Sequence, residues 1–78
     1  MNPKNVYFLA RALHYALLSL GYLVHYVSYP WHVEEPHIEI AAPSPRMLGQ
    51  LPTVLYSIAH GQLSVLRISI SMVRLHFE

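Results

Sequence analysis

A chain of 78 residues without a single cysteine has few ways of holding a fold together. At this size a hydrophobic core is marginal, and small scaffolds add disulfides, a structural metal or self-association. Disulfides are impossible here, so a second copy or another partner is the expected support. Hydrophobic residues make up 54% of the chain and charged ones 12%. That balance is greasier than an ordinary soluble monomer and predicts apolar surface shared with another chain. The chain is read as one domain, residues 1–78. The lack of thiols fits a reducing compartment, and a cytoplasmic location is expected.

The start, Met1-Asn2-Pro3-Lys4, leads into an apolar run interrupted by Arg11 and His14 and makes a poor signal peptide. A spanning helix needs about 20 apolar residues, and Val6 to Val27 is broken by Arg11, His14, Gly21 and His25. No transmembrane segment is expected. The formal charge is +1, with Glu34, Glu35 and Glu39 concentrated in one short segment and the basic residues scattered, so no polyanion-binding run exists.

Residues 5–20 read as an amphipathic helix, with Val6, Leu9, Leu13, Ala16, Leu17 and Leu20 on one face, Asn2 and Pro3 opening it and Gly21 closing it. Residues 22–29 are rich in β-branched and aromatic types and read as a strand ending at Pro30. A second strand over residues 37–42 alternates Ile38, Ile40 and Ala42 against His37, Glu39 and Ala41, and Pro36 makes it an edge strand or a late-starting one.

Ser44 and Pro45 are placed as N-cap and first residue of a second helix, whose apolar face is Met47, Leu48, Leu51, Val54, Leu55 and Ile58. Pro52 either kinks this helix or divides it, and Gly61 ends it. Residues 62–78 lack a turn signal and read as one unusually long strand. Its apolar side changes from the even positions Leu66, Ile68, Ile70 and Met72 to the odd positions Val73, Leu75 and Phe77. A bulge near Met72, or a strand end that packs on another molecule, accounts for the change.

The expected fold is therefore α+β: a small two-layer sandwich of order α-β-β-α-β, or α-β-β-α-α-β if Pro52 divides the second helix. Two main helices cover one face of a three-stranded sheet with a long C-terminal strand. The last helix-to-strand order resembles the type II KH arrangement. That resemblance implies single-stranded nucleic-acid binding through a Gly-x-x-Gly loop with flanking basic residues; Leu48-Gly49-Gln50-Leu51-Pro52 lacks the second glycine.

Catalytic apparatus is not readable. The chain has no aspartate and no Gly-x-Ser-x-Gly elbow, and Glu34 and Glu35, as strand neighbours, point to opposite faces. Gly21, Gly49 and Gly61 punctuate or interrupt helices and form no phosphate loop. Six histidines are the oddest compositional feature, yet they include no His-x-x-x-His pair and no assisting cysteine, so no metal and no cofactor is expected.

The most informative surface is aromatic: Tyr22, Tyr26, Tyr29 and Trp31, with His25 and His32, fall on the first strand and its turn. Tyrosine and tryptophan favour protein interfaces, stack on nucleic-acid bases, or simply build the core. The three glutamates of this hairpin argue against nucleic acid. The expectation is a non-enzymatic protein–protein interaction module of the inhibitor, adaptor or regulatory-subunit kind. It would bind through Tyr22, Tyr26, Tyr29 and Trp31 or through Val73, Leu75 and Phe77, and self-associate as a homodimer along the C-terminal strand. The alternative is a single-stranded nucleic-acid binder using Arg46, Arg67 and Arg74 for phosphates and Tyr22 or Tyr26 for stacking. A membrane-surface role for the first helix has too little positive charge behind it.

Overall fold

The computed structural model describes residues 3–28 and 36–76. Helix α1 spans Pro3–Ser19 and turns Val6, Ala10, Leu13 and Leu17 inward, the last three with no exposed surface. Spacings of three and four residues make this stripe, and each fully buried leucine contributes about 1.5–3 kcal/mol. Leu20, expected on the same face, is exposed beyond the helix end, and Asn2 lies outside the described residues. Gly21 takes φ +93°, its N–H donating to the Leu18 carbonyl at 3.0 Å and that of Tyr22 to Leu17 at 3.0 Å. These two bonds are a Schellman ending, which needs the left-handed residue that glycine supplies without strain.

Strands β1 (Leu23–Ser28) and β2 (His37–Ala41) pair antiparallel, and β2 pairs parallel with β3 (Val73–Leu75), giving the mixed three-stranded order β1-β2-β3. β2 is therefore central and starts directly after Pro36, so the edge-strand option for it falls away. Its alternation is strict: Ile38 and Ile40 have no exposed surface, while His37, Glu39 and Ala41 are half-buried on the other face.

A bulge does occur, in β1. The register skips His25, so that Val24 pairs with Ile40 and Val27 with Ile38. Without the extra residue two valines three positions apart would face opposite ways; with it both join the isoleucine side.

Parallel β2 and β3 cannot be joined by a turn, and the crossover between them is helical. Helix α2 (Pro45–Ile58) opens as expected, with Ser44 Oγ accepting from the Met47 N–H at 3.2 Å and Pro45 in the first turn. It runs through Pro52 undivided. A second crossover helix, α3, spans Leu63–Met72.

The long C-terminal strand expected over residues 62–78 is thus corrected: it is α3 followed by a three-residue strand. The alternation that suggested it fails at one pair, since Ser69 has no exposed surface and Ile70 is 53% exposed, while Arg67 and Ser71 face water and Met72 is buried. Ser69 and Met72 are buried at helical spacing, with Leu66 and Ile68 packed against the core beside them. Ser69 is small enough to sit there and donates its hydroxyl to the Val65 carbonyl at 3.0 Å, which pairs that buried polar group. The change of apolar side at Met72 marks the helix-to-strand boundary. The order is α-β-β-α-α-β, with α3, and not a break at Pro52, supplying the extra helix.

The core lies between the helices and one sheet face: Val6, Ala10, Leu13 and Leu17 from α1, Ile38 and Ile40 from β2, Leu51 and Leu55 from α2, and Met72. Gly49, weighed above against a nucleotide-gripping loop, lies inside α2, with nothing within 4 Å of where a Cβ would stand. Gly49→Ala should therefore raise stability by about 1 kcal/mol, through helix propensity alone. Urea unfolding checks this, and a loss of stability would contradict a helical backbone at that position.

Candidate interaction groove

Helix α3 ends at Met72 and β3 begins at Val73 with no residue between them. Leu66 and Ile70, four apart on α3, are therefore continued by Val73 and Leu75 into one apolar row that runs from helix to strand. Facing it on α2 are Leu51, Pro52, Thr53, Leu55 and Tyr56, and together the two walls enclose an open groove of about 680 Å³. Leu51 and Leu55 form its buried floor, while Tyr56, Ile70 and Leu75 stand 56%, 53% and 42% exposed on its walls.

The turn closing one end is tightly specified. His60 (φ 53°) and Gly61 (φ 76°) both adopt the left-handed region, and the Gln62 N–H donates to the Ala59 carbonyl at 3.1 Å. A Cβ on Gly61 would come within 3.3 Å of the Tyr56 hydroxyl, so the tyrosine lies against this turn. Pro52 contributes in another way. A proline inside a helix has no N–H to bond the carbonyl four residues back, and its ring adds a rigid apolar edge to the groove.

The charged residues on the groove's own elements are arginines, of which register sets Arg74 opposite Glu39 on the outward face of the sheet. Arg67 follows Leu66 on the solvent side of α3, and Arg74 lies in β3 and donates its guanidinium to the carbonyls of Ser71 and, at 3.3 Å, Val73. A cation closing the C-terminal carbonyls of α3 suits the helix dipole. Glu39 lies on the outward face of β2, where it meets His37 Nε2 at 3.1 Å. Both side chains are more than a third open to water or close to it, so this pair stabilises the fold little. On the same side the rings of His25 and His76 meet edge to face at 5.0 Å.

Of the residues expected to bind, Val73 and Leu75 are brought together here, in a groove and not along a long strand. Tyr22 is not at a surface. It is 3% exposed, and its hydroxyl donates to the Met47 carbonyl at 2.5 Å, tying the start of β1 to the first turn of α2. Neither stacking nor partner contact is open to it. Tyr26 pairs with Glu39 by register; Tyr29, Trp31 and Phe77 lie outside the described residues.

Leu66 and Ile70 were missed because residues 62–72 read as a strand, with the helical spacing of 66, 70 and 73 as the available signal; Tyr56 was missed because it lies outside the apolar face read for α2. A second exposed apolar strip, Phe8, Tyr15 and Leu18 on α1, is a convex helix surface with Arg11 lying 5.8 Å from the Tyr15 ring centre.

Comparison with known proteins finds no matching family model, curated protein or solved structure. Among the described residues no group of three histidines or acids could hold a metal ion, and no helix is long and apolar enough to cross a membrane.

Burial raises the pKa of the Tyr22 phenol above its usual value of about 10. The native chain therefore holds this proton more tightly than the unfolded chain, and the associated stability is complete below about pH 10 and falls as pH rises through the native value. Tyr22→Phe should remove that alkaline loss. It should also cost about 1 kcal/mol at neutral pH, because the hydrogen bond to Met47 disappears. Urea midpoints of both proteins between pH 7 and 11 test the two effects together.

Proposed function

We propose that this protein is a small, non-enzymatic protein–protein interaction module of the inhibitor, adaptor or regulatory-subunit kind, working in the cytoplasm, whose contact surface is the groove between α2, α3 and β3. The observation that carries the reading is the exposure of Tyr56, Ile70 and Leu75 around one continuous apolar concavity. A domain this small with that much solvated hydrocarbon gains by covering it. Self-association was expected along a long C-terminal strand. With β3 reduced to three residues, backbone pairing offers few bonds and side-chain docking in the groove becomes the main contact.

Helix-in-groove recognition suits this shape, because the walls are themselves two helices and a third can lay its apolar anchors between them. Selection of helical peptides from a display library on the intact protein tests the reading, with counter-selection on Ile70→Lys. Ile70 is half-exposed, so the substitution should leave unfolding within about 0.5 kcal/mol of the parent. Enriched peptides that bind the parent and lose at least tenfold in affinity for the variant are expected. Peptides that bind both proteins equally, or no enrichment, would overturn the assignment of the groove.

A further inference from the structure

Taking the groove as the contact surface, we propose that its occupant is an acidic amphipathic helix of another protein, with apolar side chains on one face and carboxylates along their flank. The groove is built from residues 51–75. From Ile40 to Phe77 the sequence contains Arg46, Arg67 and Arg74 and neither aspartate nor glutamate. The only acid among the described residues is Glu39, engaged by His37 on the sheet face turned away from Ile38 and Ile40. The elements that form the groove thus offer cations and no anion.

Arg67 is the cation best placed to meet a docked helix. It is exposed, adjacent in sequence to the lining residue Leu66 and three residues before Ile70, so its position on α3 lies one step outward from the groove wall. A partner carboxylate there gains a charge-assisted contact, whereas a partner lysine meets repulsion. A second copy of this chain docked groove to groove presents the same arginines and no acid from its own groove elements. Charge therefore favours a foreign acidic helix over self-pairing.

The test uses the full chain and two synthetic helical peptides with identical leucine and phenylalanine anchors, one flanked by glutamates and the other by lysines. Binding is followed by fluorescence anisotropy at low and high salt. The glutamate peptide should bind about tenfold more tightly, with the advantage shrinking as salt rises. Arg67→Glu should reverse the preference, and Ile70→Lys or the milder Tyr56→Ala should weaken both peptides alike.

Equal binding of the two peptides, still lost in Ile70→Lys, would overturn the acidic occupant and leave the groove assignment standing. Binding indifferent to both groove substitutions, or absent for both peptides, would overturn the groove and the occupant together. A parent protein that light scattering shows to be a dimer, and Ile70→Lys a monomer, would give the groove to a second copy and reject the foreign helix.

Discussion

Strand β2 is the member on which the rest of the fold depends. It is paired on both sides, and its two isoleucines have no contact with water. Because its partner β3 runs parallel, the chain between them must leave the sheet, cross one face and return. That requirement places α2 and α3 over Ile38 and Ile40, where α1 already presents Leu13 and Leu17. The core is the place where three helices meet a single strand.

The groove follows from the same crossover. The chain passes from α3 into β3 without a loop, so the side chains that leave the helix apolar continue apolar in the strand. Val73 is held beside Ile38 by register, and Leu75 beside Ile40. Leu75 stays partly solvated because β3 is an edge strand. A longer third strand would have carried more polar backbone into the open. Here the exposed edge is short, as natural sheets tend to keep their edges, and hydrocarbon makes up the accessible surface.

Much of the architecture was legible in local patterns. The period-two alternation of Ile38 and Ile40, the Ser44-Pro45 helix start and Gly21 at the end of α1 each state one physical requirement, and each stands in the structure; α2 ends earlier than Gly61, at Ile58, with His60 as the first left-handed residue. The C-terminal third was harder, for a definable reason. Leu66, Ile68, Ile70 and Met72 alternate with Arg67, Ser69 and Ser71, and the β-branched isoleucines among them satisfy a strand by both propensity and period.

Serine at 69 looked like the solvated side of that strand. Its burial depends on a hydrogen bond to its own helix, which a pattern of polarity cannot display. The bulge at His25 was hidden for a related reason: two valines out of phase by one residue could be reconciled only by knowing which β2 residues they oppose. The candidate site inherited the first error. Leu75 was named from the sequence as a candidate, while its helical neighbours in the groove were not, because the row they share exists only once the helix-to-strand boundary is placed at Met72.

Charge placement adds something the apolar pattern does not contain. The net charge of +1 creates no long-range field to steer polyanions, and at physiological salt a charge is felt over about 8 Å. What matters is which sign stands next to the hydrocarbon. Three of the four acids, Glu34, Glu35 and Glu39, precede the crossover and the fourth is Glu78 at the other end of the sequence, while the crossover itself carries arginine as its only charged type. Apolar area is indifferent to the partner's sequence and supplies most of the attraction in a groove of this kind. A cation at its rim would discriminate, since the wrong sign at contact costs more than the right one gains. Arg74 is partly occupied by the carbonyls that end α3, which leaves Arg67 as the side chain that, under the proposed docking, would tell one amphipathic helix from another.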